Sequence, residues 1–306
     1  MNNKYDVVII GGGPAGLTAG IYTSRDNLKS LIIEKGIIGG NMNNAEIIDN
    51  YPGFPEGVNG PELANLMHRQ AKRYGLETIA AEVIAIKDLG NKKLLQTSDG
   101  DIIARAVIIA GGSEKLKLSI PGEKEFTGRG VSYCTTCDAF FFRNKNVVVV
   151  GGGNSAIYEA MHLTKFASKI YIIHRRNQLR ATAILQERAR AETKIKFILD
   201  TIVKEIQGKD FVQKLVLENV KTGKKSTLEV DGVFISIGLK PNTDFVKDLL
   251  SLDKQGHIIT DENMNTETAG ILAAGDIRSG AIRQITTAAG DGTIAAIEAK
   301  RFIDDQ

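Results

Sequence analysis

The stretch Tyr5-Asp6-Val7-Val8-Ile9-Ile10-Gly11-Gly12-Gly13-Pro14-Ala15-Gly16 decides the architecture of this 306-residue chain. Its apolar run predicts a buried strand that passes directly into G-x-G-x-x-G, carried by Gly11, Gly13 and Gly16. Helical spacing follows through Leu17, Ala19, Ile21 and Tyr22, and a second apolar strand, Leu31-Ile32-Ile33, ends at Glu34. In that context Gly11 permits a tight turn, Gly13 lets the backbone approach a pyrophosphate, and Gly16 lets helix and strand pack closely. The helix N-terminus presents its N–H groups to the phosphates, and Glu34 is placed to accept hydrogen bonds from a ribose.

The same plan occurs a second time. Val147-Val148-Val149-Val150 leads into Gly151-Gly152-Gly153-Asn154-Ser155-Ala156, a helix pattern runs through Ile157, Ala160, Met161 and Leu163, and the strand Ile170–Ile173 ends at His174-Arg175-Arg176. The register is identical: Glu34 stands 23 residues after Gly11, and His174 stands 23 after Gly151. Where the first copy offers a carboxylate, the second offers His174, Arg175, Arg176 and, a turn later, Arg180. A carboxylate suits a free ribose 2′-hydroxyl, whereas guanidinium groups suit a 2′-phosphate. The first copy is therefore expected to take FAD or NAD, and the second NADP(H).

Between the copies lies Cys134-Thr135-Thr136-Cys137-Asp138, followed by Ala139 and then Phe140, Phe141 and Phe142. A C-x-x-C pair can close a small disulfide ring, and neighbouring peptide dipoles can activate one thiol. Zinc would need two further ligands; these are the only cysteines, and His68, His162, His174 and His257 form no pair at ligand spacing, so no metal is expected. A pair of inert buried thiols is the remaining alternative. Asp138 has the chemistry to protonate a thiolate released when the disulfide opens; the plain alternative is a surface carboxylate capping a helix. The three phenylalanines read as core or interface packing.

Bulk properties narrow the field. Hydrophobic residues make up 42% and charged residues 25%, as in a water-soluble globular protein, and the net charge of +3 is too balanced for a nucleic-acid binder. No apolar run is long enough to span a membrane. Two closely spaced cysteines do not make a disulfide scaffold, which points to a reducing, cytoplasmic location.

Taken together, these motifs resemble the low-molecular-weight thioredoxin reductases along essentially the whole chain. The matching stretches are GGGPAG at 11–16, DNYPGF at 49–54, CTTCD at 134–138, GGGNSA at 151–156, HRRNQLR at 174–180, IGLKPNT at 237–243, AAGDI at 273–277 and RQITTAAGDG at 283–292. The resemblance implies an α/β fold of two Rossmann-like, three-layer ββα domains, with the NADPH domain inserted into the FAD domain: residues 1–116 and 240–306 for FAD, and 117–239 for NADPH and the dithiol. It implies that FAD is held by Gly11, Gly13, Pro14, Ala15 and Gly16, and by the segment containing Glu34, Lys35, Gly39, Gly40 and Asn41. Asn50, Val83, Ala110, Gly111, Gly275, Asp276, Arg283, Gln284 and Ile285 complete that set. NADPH would meet Gly153, Asn154, Ser155, Ala156, His174, Arg175, Arg176, Arg180, Ile237 and Gly238. Cys134, Cys137 and Asp138 would be catalytic, with Cys137 facing the flavin and Cys134 attacking the disulfide of a thioredoxin. A homodimer, and a rotation of the inserted domain about its two crossovers, are also implied.

The chain departs from the family pattern at Asn41, where Gln is usual, at Gly111, where Thr is usual, and at Ala139, where Gly is frequent. Two rivals keep the dithiol but change the electron source, a ferredoxin-dependent reductase and a flavin dithiol oxidase; both tend to lack the arginine cluster present here. NADPH–ferredoxin reductases lack the C-x-x-C. A non-catalytic flavin-binding regulatory protein is the reading from another class, because fold alone does not set function.

Overall fold

The computed structural model describes residues 4–45 and 47–306. Strand β1 (Lys4–Ile10), helix α1 (Pro14–Arg25) and strand β2 (Ser30–Glu34) form the first β-α-β turn. Helix α2 (Gly60–Lys72) and strands β3 (Glu77–Ala80), β4 (Val83–Asp88), β5 (Lys93–Thr97) and β6 (Gly100–Ile109) follow. A short strand β7 (Ser113–Lys115) leads to β8 (Val131–Ser132), α3 (Thr135–Asp138), β9 (Asn146–Val150), α4 (Asn154–Leu163), β10 (Lys169–Ile173), α5 (Ala183–Ala191) and β11 (Ile195–Ile198). Next come β12 (Thr201–Gly208), β13 (Val212–Asn219), β14 (Lys225–Glu229), β15 (Gly232–Ile235), β16 (Leu239–Pro241), β17 (Ile271–Ala273) and the long α6 (Ile285–Asp304).

The chain divides into two compact units: one runs to Glu114 and resumes at Lys240–Gln306, and the other is Lys115–Leu239. In the first, β3-β2-β1-β6 are parallel and β17 joins β6 in parallel, while β4 and β5 extend the sheet from β6 as an antiparallel meander. Alternation along β1 explains the layering. Val7 and Ile9 pack with Leu17, Leu63 and Ala295 on the helical side, whereas Val8 and Ile10 pack with Ile86, Leu95 and Ile102 of the meander. Every apolar residue of the run is covered because both faces are.

The second unit repeats this. Its parallel sheet has the order β11-β10-β9-β15-β8, and β12-β13-β14 form a separate antiparallel sheet. Val147 and Val149 pack towards helices α4 and α5, while Val148 and Val150 pack against Val203, Ile206 and Leu215 of the antiparallel layer. Two three-layer ββα units of Rossmann type are thus present, as the resemblance implies.

Both crossings of the chain are secured from within the units. Leu116 N–H bonds the Gly238 carbonyl in the second, and Asn242 N–H bonds the Gly112 carbonyl in the first. Among the described residues, no helix is long and apolar enough to cross a membrane.

Candidate functional site

The two glycine loops share one geometry. Gly11 has φ +106°, and a Cβ there would lie 2.5 Å from the Ala110 carbonyl oxygen; at Gly16 it would lie 1.9 Å from the Gly11 carbonyl. The matching contact in the second loop is Gly151 against the Ser236 carbonyl, at 2.3 Å, with Ala156 in the place of Gly16. The middle glycines differ from these: around a Cβ built on Gly13 or Gly153 no atom lies within 4 Å. The outer positions are closed by protein and the centre opens in front of a helix. Neither α1 nor α4 has a side-chain cap or an acidic residue in its first turn, so the positive helix end is left to an anion. Both loops fit a nucleotide pyrophosphate.

In the first unit, Glu34 braces its loop. Its Oε2 accepts the Gly12 N–H and its Oε1 the Gly36 N–H, each at 2.7 Å, leaving further lone pairs for ribose hydroxyls. Gly39 N–H bonds the Gly12 carbonyl at 2.7 Å, which brings Gly40 against Gly13. Asn41 donates to the Ser113 carbonyl, and the Ser113 hydroxyl donates to the Asp276 carbonyl. Gly275 rests over Ala15 and its N–H bonds Asp291, whose carboxylate is held bidentately by Arg278. The loops at 11–16, 34–41, 110–113 and 275–277 therefore converge. Gly111 joins through its carbonyl, which accepts from Asn242.

A second group links Asn50 Nδ2 to Gln284 Oε1 at 3.1 Å, and Gln284 caps α6 through a reciprocal bond pair with Thr287. Arg283 precedes it in the left-handed region, φ +67°, and Ile285 opens the helix. Lys35 is exposed and lies 3.9 Å from Glu82. Val83 packs its side chain in the core with Ile10, Ile33 and Ile109 at the start of β4.

In the second unit, His174 occupies the place of Glu34 and acts on the loop by packing. A Cβ on Gly152 would lie 2.4 Å from its Nδ1, so glycine there is required by the ring beneath it. His174 is buried, and its Nε2 has no partner among the described residues. Burial, then the charges of Arg180, Arg176 and Arg175, lower its pKa below the ordinary 6.5. The ring fills the space under Gly152, and Arg175, Arg176 and Arg180 around it are exposed. Ile237 packs on the antiparallel-side core, Gly238 forms the crossing bond to Leu116, and Ser155 is exposed on the first turn of α4.

The dithiol is closed: Cys134 and Cys137 form a disulfide with S–S 2.06 Å. Cys134 caps the single turn α3, Cys137 is exposed, and the buried Thr135 between them donates to Glu159 of α4 at 3.0 Å. Ser132 organises the acid. Its hydroxyl donates to Asp138 Oδ2 at 2.5 Å and accepts the Cys134 N–H at 3.0 Å. Tyr133 is clamped on both sides. Its carbonyl accepts from Lys115 Nζ, and its hydroxyl donates at 2.6 Å to the buried Glu123, which also accepts the Leu118 and Ser119 N–H groups. Burial first, then the bond to Glu123 and its charge, push the Tyr133 phenol well above its usual range.

The phenylalanines divide. Phe142 is core, edge-on to Phe234, whereas Phe140 and Phe141 are 57% and 54% exposed beside the dithiol turn. Sequence reasoning missed Ser132, Glu123, Ser113 and the Arg278–Asp291 pair. Only Ser132, two residues before Cys134, carried a positional signal.

A family model for pyridine nucleotide-disulphide oxidoreductases matches residues 5–292. The thioredoxin reductase of Bacillus subtilis (strain 168) is 48% identical over 302 residues, covering 98% of this chain and 95% of that protein. The crystal structure of thioredoxin reductase from Streptococcus pyogenes MGAS5005 superposes with a TM-score of 0.95 at 48% identity, covering 100% of both chains. The solved structure of thioredoxin reductase from Giardia duodenalis gives 0.94 at 36% identity, covering 99% of each chain. With both glycine loops, the arginine segment and the closed dithiol in place, the chain belongs to the pyridine nucleotide-disulphide oxidoreductases, in the branch of the thioredoxin reductases.

Proposed function

We propose that the chain is a thioredoxin-disulfide reductase that uses FAD and NADPH. The observation that carries this reading is the closed Cys134–Cys137 disulfide on an exposed turn of the same unit that carries Arg175, Arg176 and Arg180. Residues 1–116 with 240–306 form the FAD domain in this reading, and 117–239 the NADPH domain. FAD is held by the loops meeting at Gly13, Glu34, Asn41 and Asp276, and NADPH by Gly153 and the arginine segment. Bound there, FAD would supply two-electron redox chemistry linking NADPH to the Cys134–Cys137 disulfide.

The protein's own groups do the rest. As the Sγ–Sγ bond opens, Asp138, fixed by Ser132, protonates one of the two thiolates formed. The Cys134 thiolate attacks the disulfide of oxidised thioredoxin, giving a mixed disulfide and releasing one partner thiolate. Cys137 then attacks Cys134 Sγ, which restores the internal disulfide and frees the partner's second thiol. Exposed Phe140 and Phe141 supply apolar contact area next to this exchange. The family resemblance supports a homodimer in the cytoplasm.

The test is NADPH oxidation with thioredoxin from the same source as acceptor. A yellow protein bleached by NADPH and not by NADH supports the reading. A flavin that NADPH does not reduce sinks it in favour of the ferredoxin or oxidase alternatives.

A further inference from the structure

We propose that the Asn154 side chain is a specificity-positioning residue: it holds the arginine segment at a fixed distance from the glycine loop and so sets the preference for a 2′-phosphorylated nucleotide. The proposal rests on the reading that Arg175, Arg176 and Arg180 receive the 2′-phosphate.

The arginines are exposed, and the segment between β10 and α5 that carries them contains no helix or strand. Where their guanidinium groups stand is therefore decided by how that segment is tethered. At its start it leaves β10 at His174, whose ring fills the space under Gly152. At its end it folds back on the glycine loop: Arg180 N–H and Ala181 N–H bond the Gly152 carbonyl at 2.7 and 3.1 Å, and Thr182 N–H bonds Asn154 Oδ1 at 2.9 Å. Gln186 also clips the segment, through the Ala181 carbonyl, but it ties it to α5 and not to the glycine loop. Among the described residues, the Asn154 bond is the side-chain hydrogen bond that joins the two loops.

A dinucleotide with a 2′-phosphate must satisfy both loops at once, the glycine loop with its pyrophosphate and the arginines with its extra phosphate. One that lacks the 2′-phosphate uses only the first. Loosening the tether therefore penalises NADP and spares NAD, whereas loss of a direct pyrophosphate contact would weaken both alike.

The test is calorimetric titration of the FAD-loaded protein with NADP⁺ and with NAD⁺, for the unaltered chain, Asn154→Ala and Asn154→Asp. The expected result for Asn154→Ala is a roughly fivefold loss of NADP⁺ affinity with NAD⁺ affinity within about twofold. Asn154→Asp keeps an acceptor for Thr182 N–H, so its ratio of the two affinities should match that of the unaltered chain. Amide exchange at Thr182 should quicken in Asn154→Ala only. Equal loss of both nucleotides, or an unchanged ratio in Asn154→Ala, overturns the proposal. A ratio near one in the unaltered chain instead overturns the reading of the arginines beneath it.

Discussion

Exchanging Glu34 for glutamine probes the first nucleotide loop at its brace. In the structure each carboxylate oxygen takes one backbone N–H, from Gly12 and from Gly36, at 2.7 Å. A neutral amide can accept only one of these and turns its NH₂ towards the other, so one charge-assisted bond is lost and a backbone donor is left facing a donor. A hydrogen bond to a charged group contributes about 1.5–3 kcal/mol. If binding FAD requires the loop to return to its braced position, that cost appears in the affinity as a loss of roughly 10- to 150-fold. The assay is flavin titration of the stripped apoprotein, followed by flavin fluorescence, with thermal unfolding of the apoprotein in parallel. The apoprotein should also lose some stability, since the two bonds are made within the protein itself, and FAD binding should weaken in addition. An E34Q protein that binds FAD within about twofold of the unaltered chain refutes the reasoning, since Glu34 would then be neither brace nor ribose acceptor.

Cys137→Ser should abolish disulfide reduction while NADPH still bleaches the flavin in stopped-flow; equal loss of both steps would contradict the assigned order of electron flow. Arg175→Ala with Arg176→Ala should raise the NADPH KM by roughly 10- to 30-fold, modest because both arginines are exposed, and leave the NADH KM nearly unchanged. An unaltered preference would show that the cluster does not read the phosphate. Phe140→Ala with Phe141→Ala should raise the KM for thioredoxin by about tenfold with the NADPH-to-flavin rate retained; an unchanged KM would remove these rings from the partner surface. Lowering pH should destabilise the second unit through His174. Its folded pKa is depressed below 6.5, chiefly by burial, so the folded protein resists a proton that the unfolded chain accepts. Its contribution is present above about pH 6.5 and is lost as pH falls through the folded value. Urea unfolding at about pH 7.5 and about pH 5.5 should show a smaller acid loss in His174→Asn than in the unaltered chain, and an equal loss would refute the assignment.

Much of the site was legible along the chain because its determinants are local. A strand that runs into G-x-G-x-x-G can bury its apolar residues and turn at Gly11 in few ways, so Val7–Gly16 and Val147–Ala156 announced both units. The C-x-x-C pair was equally plain, since three residues of separation bring two sulfurs together without help from the rest of the chain. The basic segment was legible through its register with Glu34. That the His174 ring lies buried under Gly152 was not, because spacing does not reveal burial.

Groups whose partners depend on how a loop returns or a helix packs left little trace in the chain. Glu123 reaches Tyr133 only because a loop returns to the dithiol strand, and Asp291 reaches Gly275 and Arg278 only because α6 packs on α1. Phe140, Phe141 and Phe142 are one residue type in succession, yet packing against Phe234 buries the third and leaves the other two in solvent. By itself, then, the sequence determined two Rossmann-type units, a dithiol between their motifs and a basic segment after the second strand of the second unit. Each depends on backbone turns and spacings encoded within a few dozen residues. Tertiary structure alone decided that Ser132 holds the acid, that Asn154 tethers the arginines and that His174 is buried, because burial and hydrogen-bond partners are set by what the rest of the fold brings alongside.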